Sequence, residues 1–234
     1  MYLHGGPYSH IGKAWPSEIQ YLVSCGFNVV ACNYRGSTGY GEAYRRKLAL
    51  TGCGTGEILD ISNVIEWAVS TGAGIPGRIG ALGSSYGGYL TWMCLAALPL
   101  NKLSAGVIIN GMTDLAADFN STRPEIRALM RELMGATPEQ APAKFRSASP
   151  IHWARSIEAP VLVIHGREDS NVDITQVDAM VEIVRSQGVS CEYRPVDGEG
   201  HGINAPADRI RVFERIVDFL ERELGSQLAG RMKL

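Results

Sequence analysis

Residues 78–97 read Arg78-Ile79-Gly80-Ala81-Leu82-Gly83-Ser84-Ser85-Tyr86-Gly87-Gly88-Tyr89-Leu90-Thr91-Trp92-Met93-Cys94-Leu95-Ala96-Ala97. A short apolar run (78–82) meets a glycine-rich turn, and the turn opens a segment of helical composition (89–97). Strand, sharp turn and helix is the setting that a G-x-S-x-G nucleophile elbow requires. A serine thrust out at the tip of so tight a turn sits in strained backbone geometry, and a Cβ two residues to either side would collide. Ser85 is the serine in register, because a nucleophile at Ser84 would need a glycine where Leu82 stands. Taken alone, the stretch also fits a Gly/Ser-rich turn with no chemistry, so the rest of the chain has to decide.

Working outward, the apolar spacing divides the chain into alternating strands and helices. Met1-Tyr2-Leu3 runs into His4-Gly5-Gly6-Pro7, and residues 17–25 form a helix ended by Gly26. Residues 27–32 read as a strand, followed by the turn-rich stretch 33–41. Ile58, Ile61, Ile65 and Ala68 recur at helical spacing and predict an amphipathic helix over 57–70. Beyond the elbow come a strand at 105–109 and a partly helical, irregular stretch over 111–158, punctuated by Pro124, Pro138, Pro142 and Pro150. An apolar strand at 160–164 follows, then a helix marked by Ile174, Val177, Val181 and Val184, and a last strand at 189–196. Ile210, Phe213, Val217 and Leu220 stripe a closing helix. Such alternation predicts the α/β class: a mostly parallel sheet of about six strands with helices on both faces. Residues 1–224 are expected to form one domain and 225–234 a tail.

Composition narrows the partners. The chain has 234 residues with a formal net charge of -2, which gives no reason to expect nucleic acid. No apolar run reaches the length of a membrane span, and the sequence opens on no signal-peptide pattern. Cys25, Cys32, Cys53, Cys94 and Cys191 are odd in number and scattered, so they read as reduced thiols of a cytoplasmic protein. No metal motif and no phosphate-cradling loop is present, so neither metal nor cofactor is expected.

In a parallel α/β sheet, functional residues gather outside the carboxyl ends of the strands. Four segments fall there: His4-Gly5-Gly6, Ser85, the turn at Asp169 and the loop at His201. A serine hydroxyl needs a base within hydrogen-bond reach, and the base needs an acid to orient it. His201, in Asp197-Gly198-Glu199-Gly200-His201-Gly202, is the histidine in the right order and setting to be the base. His165 reads instead as a brace for the turn 166–169. Asp169 is preferred as the acid, with Asp114, which follows the preceding strand, as the alternative. Arg167 reads as a surface partner of Glu168. The oxyanion that forms on a substrate carbonyl needs preorganised N–H donors. The backbone of Tyr86 supplies one, and Gly5 or Gly6 the other, since Pro7 has no N–H. The loop 111–124 should line a substrate pocket, with Leu115, Phe119 and Arg123 as candidates. Tyr86 is a further candidate to pack on substrate.

His4-Gly5-Gly6-Pro7, the stretch 33–41, Gly83-Ser84-Ser85-Tyr86-Gly87-Gly88-Tyr89, His165-Gly166-x-x-Asp169 and Gly198-Glu199-Gly200-His201-Gly202 occur together and in this order. The set resembles the catalytic domain of the prolyl oligopeptidase (S9) family of serine peptidases, nearest the acylaminoacyl-peptidase branch. The resemblance implies an α/β-hydrolase fold, with Ser85 as nucleophile, Asp169 as acid and His201 as base. It also implies cleavage of peptide or amide bonds through an acyl-enzyme. An esterase, a small-molecule amidase or an acyltransferase would use the same residues, and a catalytically silent partner subunit is the remaining reading. The β-propeller that family members carry is not in this sequence. The chain starts almost at the glycine loop, so the N-terminal strands are expected to be missing or shortened. The sheet edge on that side is then expected to be open to a second copy or a partner chain.

Overall fold

The protein is described here by a computed structural model of residues 1–225. Three apolar runs make the middle of its sheet: β3 (Gly80–Ser84), β4 (Ala105–Ile109) and β5 (Val161–Gly166). Strand side chains alternate faces, and the core divides accordingly. Val161, Val163 and Ile108 join one hydrophobic cluster, whereas Leu162, Ile164, Val107 and Ile109 join the other. The first cluster is closed by α3 (Gly56–Ser70), α4 (Tyr86–Ala97) and α8 (Ile174–Ser186); the second by α1 (Ser17–Ser24) and α9 (Pro206–Leu224). Both faces are therefore covered, as strands apolar throughout require. α4 is buried along Tyr86–Leu95, which explains why its sequence shows no polar face.

With β1 (Tyr2–Leu3), β2 (Ala31–Cys32) and β6 (Cys191–Val196), the sheet has six parallel strands in the order β2-β1-β3-β4-β5-β6. The chain leaves β1 for β2 by way of α1 on one face. It then returns past β1 to β3 by way of α3 on the other. The order reverses between β1 and β3, and the crevice outside a switch point of this kind is where open α/β sheets bind ligands. Gly5-Gly6 and Ser85, which follow β1 and β3, border that crevice.

Several elements differ from the sequence-based expectation. β1 is only two residues long, yet it lies inside the sheet: Tyr2 is in register with Ala31 and Leu82, and Leu3 with Cys32 and Gly83. The edge on that side is β2. It pairs over Ala31–Cys32 rather than 27–32 because β1 offers two residues to pair with. A further helix, α2 (Glu42–Thr51), follows the turn-rich stretch. Only Leu48 of it is buried, so it carries no apolar stripe to read. Glu42 bonds both Arg45 and Arg46, and Leu48 packs under Gly36. α9 buries Val212, Ile216, Val217, Phe219 and Leu220, leaving Ile210 exposed. Arg167 pairs with Asp197 across the β6 loop instead of with Glu168. Of the expected tail, residues 226–234 lie outside the described residues. Among the described residues no helix is long and apolar enough to cross a membrane.

Candidate active site

The turn after β3 is built on close backbone approach. A Cβ on Gly83 would lie 2.2 Å from the Gly87 carbonyl oxygen, and one on Gly87 would lie 2.0 Å from that of Leu3. Both distances are far inside van der Waals contact, so the two flanking glycines are obligatory. Between them Ser85 has φ 56° and ψ -120°, a left-handed backbone that a side chain seldom adopts. Its N–H donates to the Ile109 carbonyl at 2.9 Å, which ties the turn to β4. Tyr86 is the first residue of α4, and its N–H is among those a helix leaves without an intrahelical acceptor.

His201 approaches from the loop between β6 and α9. Its Nε2 lies 2.8 Å from Ser85 Oγ, and its Nδ1 lies 2.8 Å and 3.0 Å from the two carboxylate oxygens of Asp169. A carboxylate on Nδ1 holds the proton there and leaves Nε2 as an acceptor for the serine O–H. Burial pushes the Asp169 carboxyl up, but His201 and the N–H groups of Val172 and Asn171 outweigh it. The net shift is downward. Asp114, the alternative acid, is spent elsewhere: it caps α5 (Leu115–Ser121), its Oδ1 accepting from Ala116 and Ala117. His165 is fully buried, 2.9 Å from the Val172 carbonyl, and braces the Asp169 turn.

Three buried polar residues that sequence reasoning passed over hold this arrangement. Asn110 follows β4 with φ 48°. Its amide donates to the Gly200 carbonyl at 3.1 Å and accepts from Gly166 N–H at 2.9 Å, so it joins the histidine loop to β5. Glu199 accepts from the N–H groups of Asn204 and Ala205 and fastens the far side of the same loop. Glu57 accepts from the Tyr86 hydroxyl at 2.7 Å and from the N–H of Gly54 and Thr55. Asn110 stands directly after a strand, so the strand-end rule could have found it; Glu199 and Glu57 gave no such signal. Gly166 is glycine because a Cβ would lie 2.2 Å from the Gly200 carbonyl oxygen.

The glycine loop is held from the β2 side. The His4 ring stacks on Tyr34 at 4.4 Å, its Nε2 lies 2.8 Å from Ser37 Oγ, and the Tyr34 hydroxyl donates to the His4 carbonyl. Gly5 packs so that a Cβ there would lie 3.4 Å from Ser85 Cβ.

Beside Ser85 and His201 opens a cavity of about 50 Å³, bordered by Gly6 and Pro7 and walled by Met112, Leu115, Ile126 and Met130. Ile126 and Met130 belong to α6 (Pro124–Met134). Asp118 also lines the cavity. Of the pocket residues expected from sequence, Leu115 is there. Phe119 instead packs edge-on against Phe145 of α7 (Pro142–Ser147), and Arg123 is exposed at the start of α6. Tyr86 also lines the cavity, and its ring is buried against Tyr34 and Tyr89. A second cavity, of about 200 Å³, lies at the other end of the strands around Phe27, Ile79 and Gly80, away from these groups. Among the described residues no group of three or more His, Cys, Asp or Glu is placed to hold a metal ion.

A parallel sheet with a strained serine at a strand–helix turn, facing a histidine and an aspartate from later strand ends, defines the α/β-hydrolase fold. The chain belongs to the prolyl oligopeptidase family, whose profile matches residues 14–227. A Caenorhabditis elegans protein named dipeptidyl peptidase family member 6 is 28% identical over 235 residues, covering 96% of this chain and 31% of its own length. A Mycobacterium tuberculosis puromycin-hydrolyzing peptidase superposes with a TM-score of 0.91 at 26% identity, over 98% of this chain and 34% of that one. A Pyrococcus horikoshii acylaminoacyl peptidase does so with a TM-score of 0.88 at 27% identity, over 99% and 38%. The chain thus spans about a third of the length of the curated relatives it matches.

Proposed function

We propose that this chain is a serine hydrolase that cleaves peptide or amide bonds through an acyl-enzyme formed on Ser85. One observation carries the reading: Ser85 Oγ, His201 and Asp169 are linked in series by contacts of 2.8 Å. In the first step Ser85 Oγ attacks the substrate carbonyl carbon as its proton passes to His201 Nε2. Asp169, its carboxyl shifted down, stays ionised and stabilises the imidazolium. The N–H of Tyr86 and of Gly5 or Gly6 receive the oxyanion. His201 then returns the proton to the leaving amine, the C–N bond breaks, and water repeats the sequence to free the acid and Ser85. The names of the related structures, a puromycin-hydrolyzing peptidase and an acylaminoacyl peptidase, support amide cleavage over ester cleavage alone.

The test is a panel of N-acyl-amino-acid p-nitroanilides beside the matching p-nitrophenyl esters. The reading expects turnover of both, falling by roughly four to six orders of magnitude in Ser85→Ala and comparably in His201→Ala. Turnover of esters with no anilide cleavage would replace amide cleavage by an esterase reading. Turnover that survives Ser85→Ala would discard the mechanism.

A further inference from the structure

Asp118 is fully buried on α5, and it lines the cavity that opens beside Ser85 and His201. Its Oδ1 takes one long hydrogen bond, 3.3 Å, from the Gln176 amide, and its Oδ2 has no partner among the described residues. Gln176 cannot turn to serve it better. The Gln176 carbonyl oxygen Oε1 accepts from the N–H groups of Thr113 and Asp114, each at 3.0 Å, which fixes the amide. No lysine or arginine lines the cavity. The basic side chain beside α5, Arg127, lies over the Phe119 ring and donates to the carbonyls of Phe119 and Asn120. The charges that reach Asp118 are His201, Asp169 and Asp114, two of them carboxylates. A carboxylate left in this state is costly to bury, and a partner from outside the chain is one cause that accounts for such a group.

The surroundings say what that partner is. Met112, Leu115, Ile126 and Met130 make an aliphatic wall, flexible where methionine contributes, and Asp118 is the one acidic residue that lines the cavity. We infer that Asp118 makes this cavity a pocket for an acyl-side residue of the lysine type, an aliphatic stem ending in a cation. The inference rests on the acyl-enzyme reading above and names its substrate class. The stem lies along the apolar wall, a small shift of the flexible Met112 and Met130 side chains uncovers Oδ2 to the cation, and the scissile carbonyl sits at Ser85. The cavity, about 50 Å³, has several times the space that one water molecule needs, about 10–15 Å³. Burial pushes the empty pocket's carboxyl up to about 7, against Gln176 and His201. A bound cation reverses that shift and holds the group ionised.

Norleucine has the stem of lysine without the charge, so the pair isolates the cation. On the wild-type chain, N-acetyl-lysine p-nitroanilide is expected to exceed N-acetyl-norleucine p-nitroanilide in kcat/KM by about 10- to 100-fold, the range of a hydrogen bond to a charged partner. In Asp118→Asn, which keeps the shape and the Gln176 contact, that ratio falls to near one. Equal or reversed wild-type preference overturns the inference, and this comparison needs no variant to fold. So does a preference that Asp118→Asn retains. Binding is read separately from chemistry by titrating N-acetyl-lysine amide and N-acetyl-norleucine amide into Ser85→Ala, with and without Asp118→Asn. An Asp118-dependent preference for the lysine compound there, with no wild-type hydrolysis, would uphold the pocket and refute the acyl-enzyme reading. Hydrolysis of both anilides at equal rates would do the opposite. Asp118-dependent binding of free-amine norleucine amide over its N-acetyl form would assign the carboxylate to the α-ammonium and overturn the side-chain pocket.

Discussion

Substituting Gly87 by alanine tests the closest backbone contact in the site. The new Cβ would lie 2.0 Å from the Leu3 carbonyl oxygen, 2.7 Å from the Leu3 carbonyl carbon and 2.9 Å from the His4 oxygen. A relaxed carbon–oxygen contact is about 3.3–3.6 Å, so β1 and the start of α4 must part by about 1 Å or more. Neither can move freely. β1 is paired on both sides, and the turn is anchored by the Ser85–Ile109 bond. The motion is therefore transmitted to His4-Gly5-Gly6, where a donor is useful only within about 0.5 Å of its place. Loss of one oxyanion donor lowers kcat by about 10²–10³. Alanine in a helix gains at most about 1 kcal/mol over glycine, while overpacking costs about 1–3 kcal/mol, so stability should fall as well. The assay is steady-state hydrolysis of an N-acyl p-nitroanilide together with thermal unfolding. Gly12→Ala serves as control, since its Cβ would meet nothing nearer than His10 Nε2 at 3.5 Å. A Gly87→Ala protein with kcat within threefold of wild type would refute the argument that this glycine sets the glycine loop.

Asp169→Asn should lower kcat by about 10⁴, because an amide favours the wrong histidine tautomer. Asp114→Asn should keep kcat near wild type and cost at most about 1 kcal/mol of α5 capping; kinetics and denaturant unfolding of the pair check the assignment, and the reverse order would overturn it. Asn110→Ala removes both ties between the histidine loop and β5 and is expected to lower kcat at least about tenfold with little change in KM; kcat within twofold of wild type would deny Asn110 a positioning role. The carboxyl of Asp118 is raised by burial from 3.8 to about 7, so the folded protein binds its proton more tightly than the unfolded chain. That contribution is complete below about pH 4 and is lost as pH rises through about 7. Urea unfolding at pH 5 and pH 8 should therefore show wild type losing about 2 to 3 kcal/mol relative to Asp118→Asn between the two, and a loss under 1 kcal/mol would contradict the burial argument.

The outline was readable because its determinants are local. The apolar runs of β3, β4 and β5, and glycines at Gly83 and Gly87, follow from strand burial and turn sterics that leave marks in composition. The order Ser85, Asp169, His201 placed three side chains at strand ends before any distance was known. What escaped depends on contacts between distant segments. α2 has one buried residue, and its helicity rests on Glu42 and its arginines, which no apolar period reveals. Glu199 and Glu57 look like ordinary surface acids until the backbone N–H groups they accept from are in place. Asp118 lay between Leu115 and Phe119, both proposed for the pocket, but an acid among apolar neighbours reads as solvent-facing. Only the packing of α5 against α6 and Gln176 turns it inward. Phe119, chosen for its size, is taken up by Phe145 and Arg127.

Covalent capture shows whether Ser85 is a nucleophile activated by His201. The folded chain is treated with a fluorophosphonate and the labelled peptide is sequenced by mass spectrometry. One phosphonyl group per chain is expected on Ser85, none in Ser85→Ala, and labelling slowed by at least about 10³ in His201→Ala. A folded protein that takes no label, or takes it on another residue with Ser85 unmodified, would contradict that role.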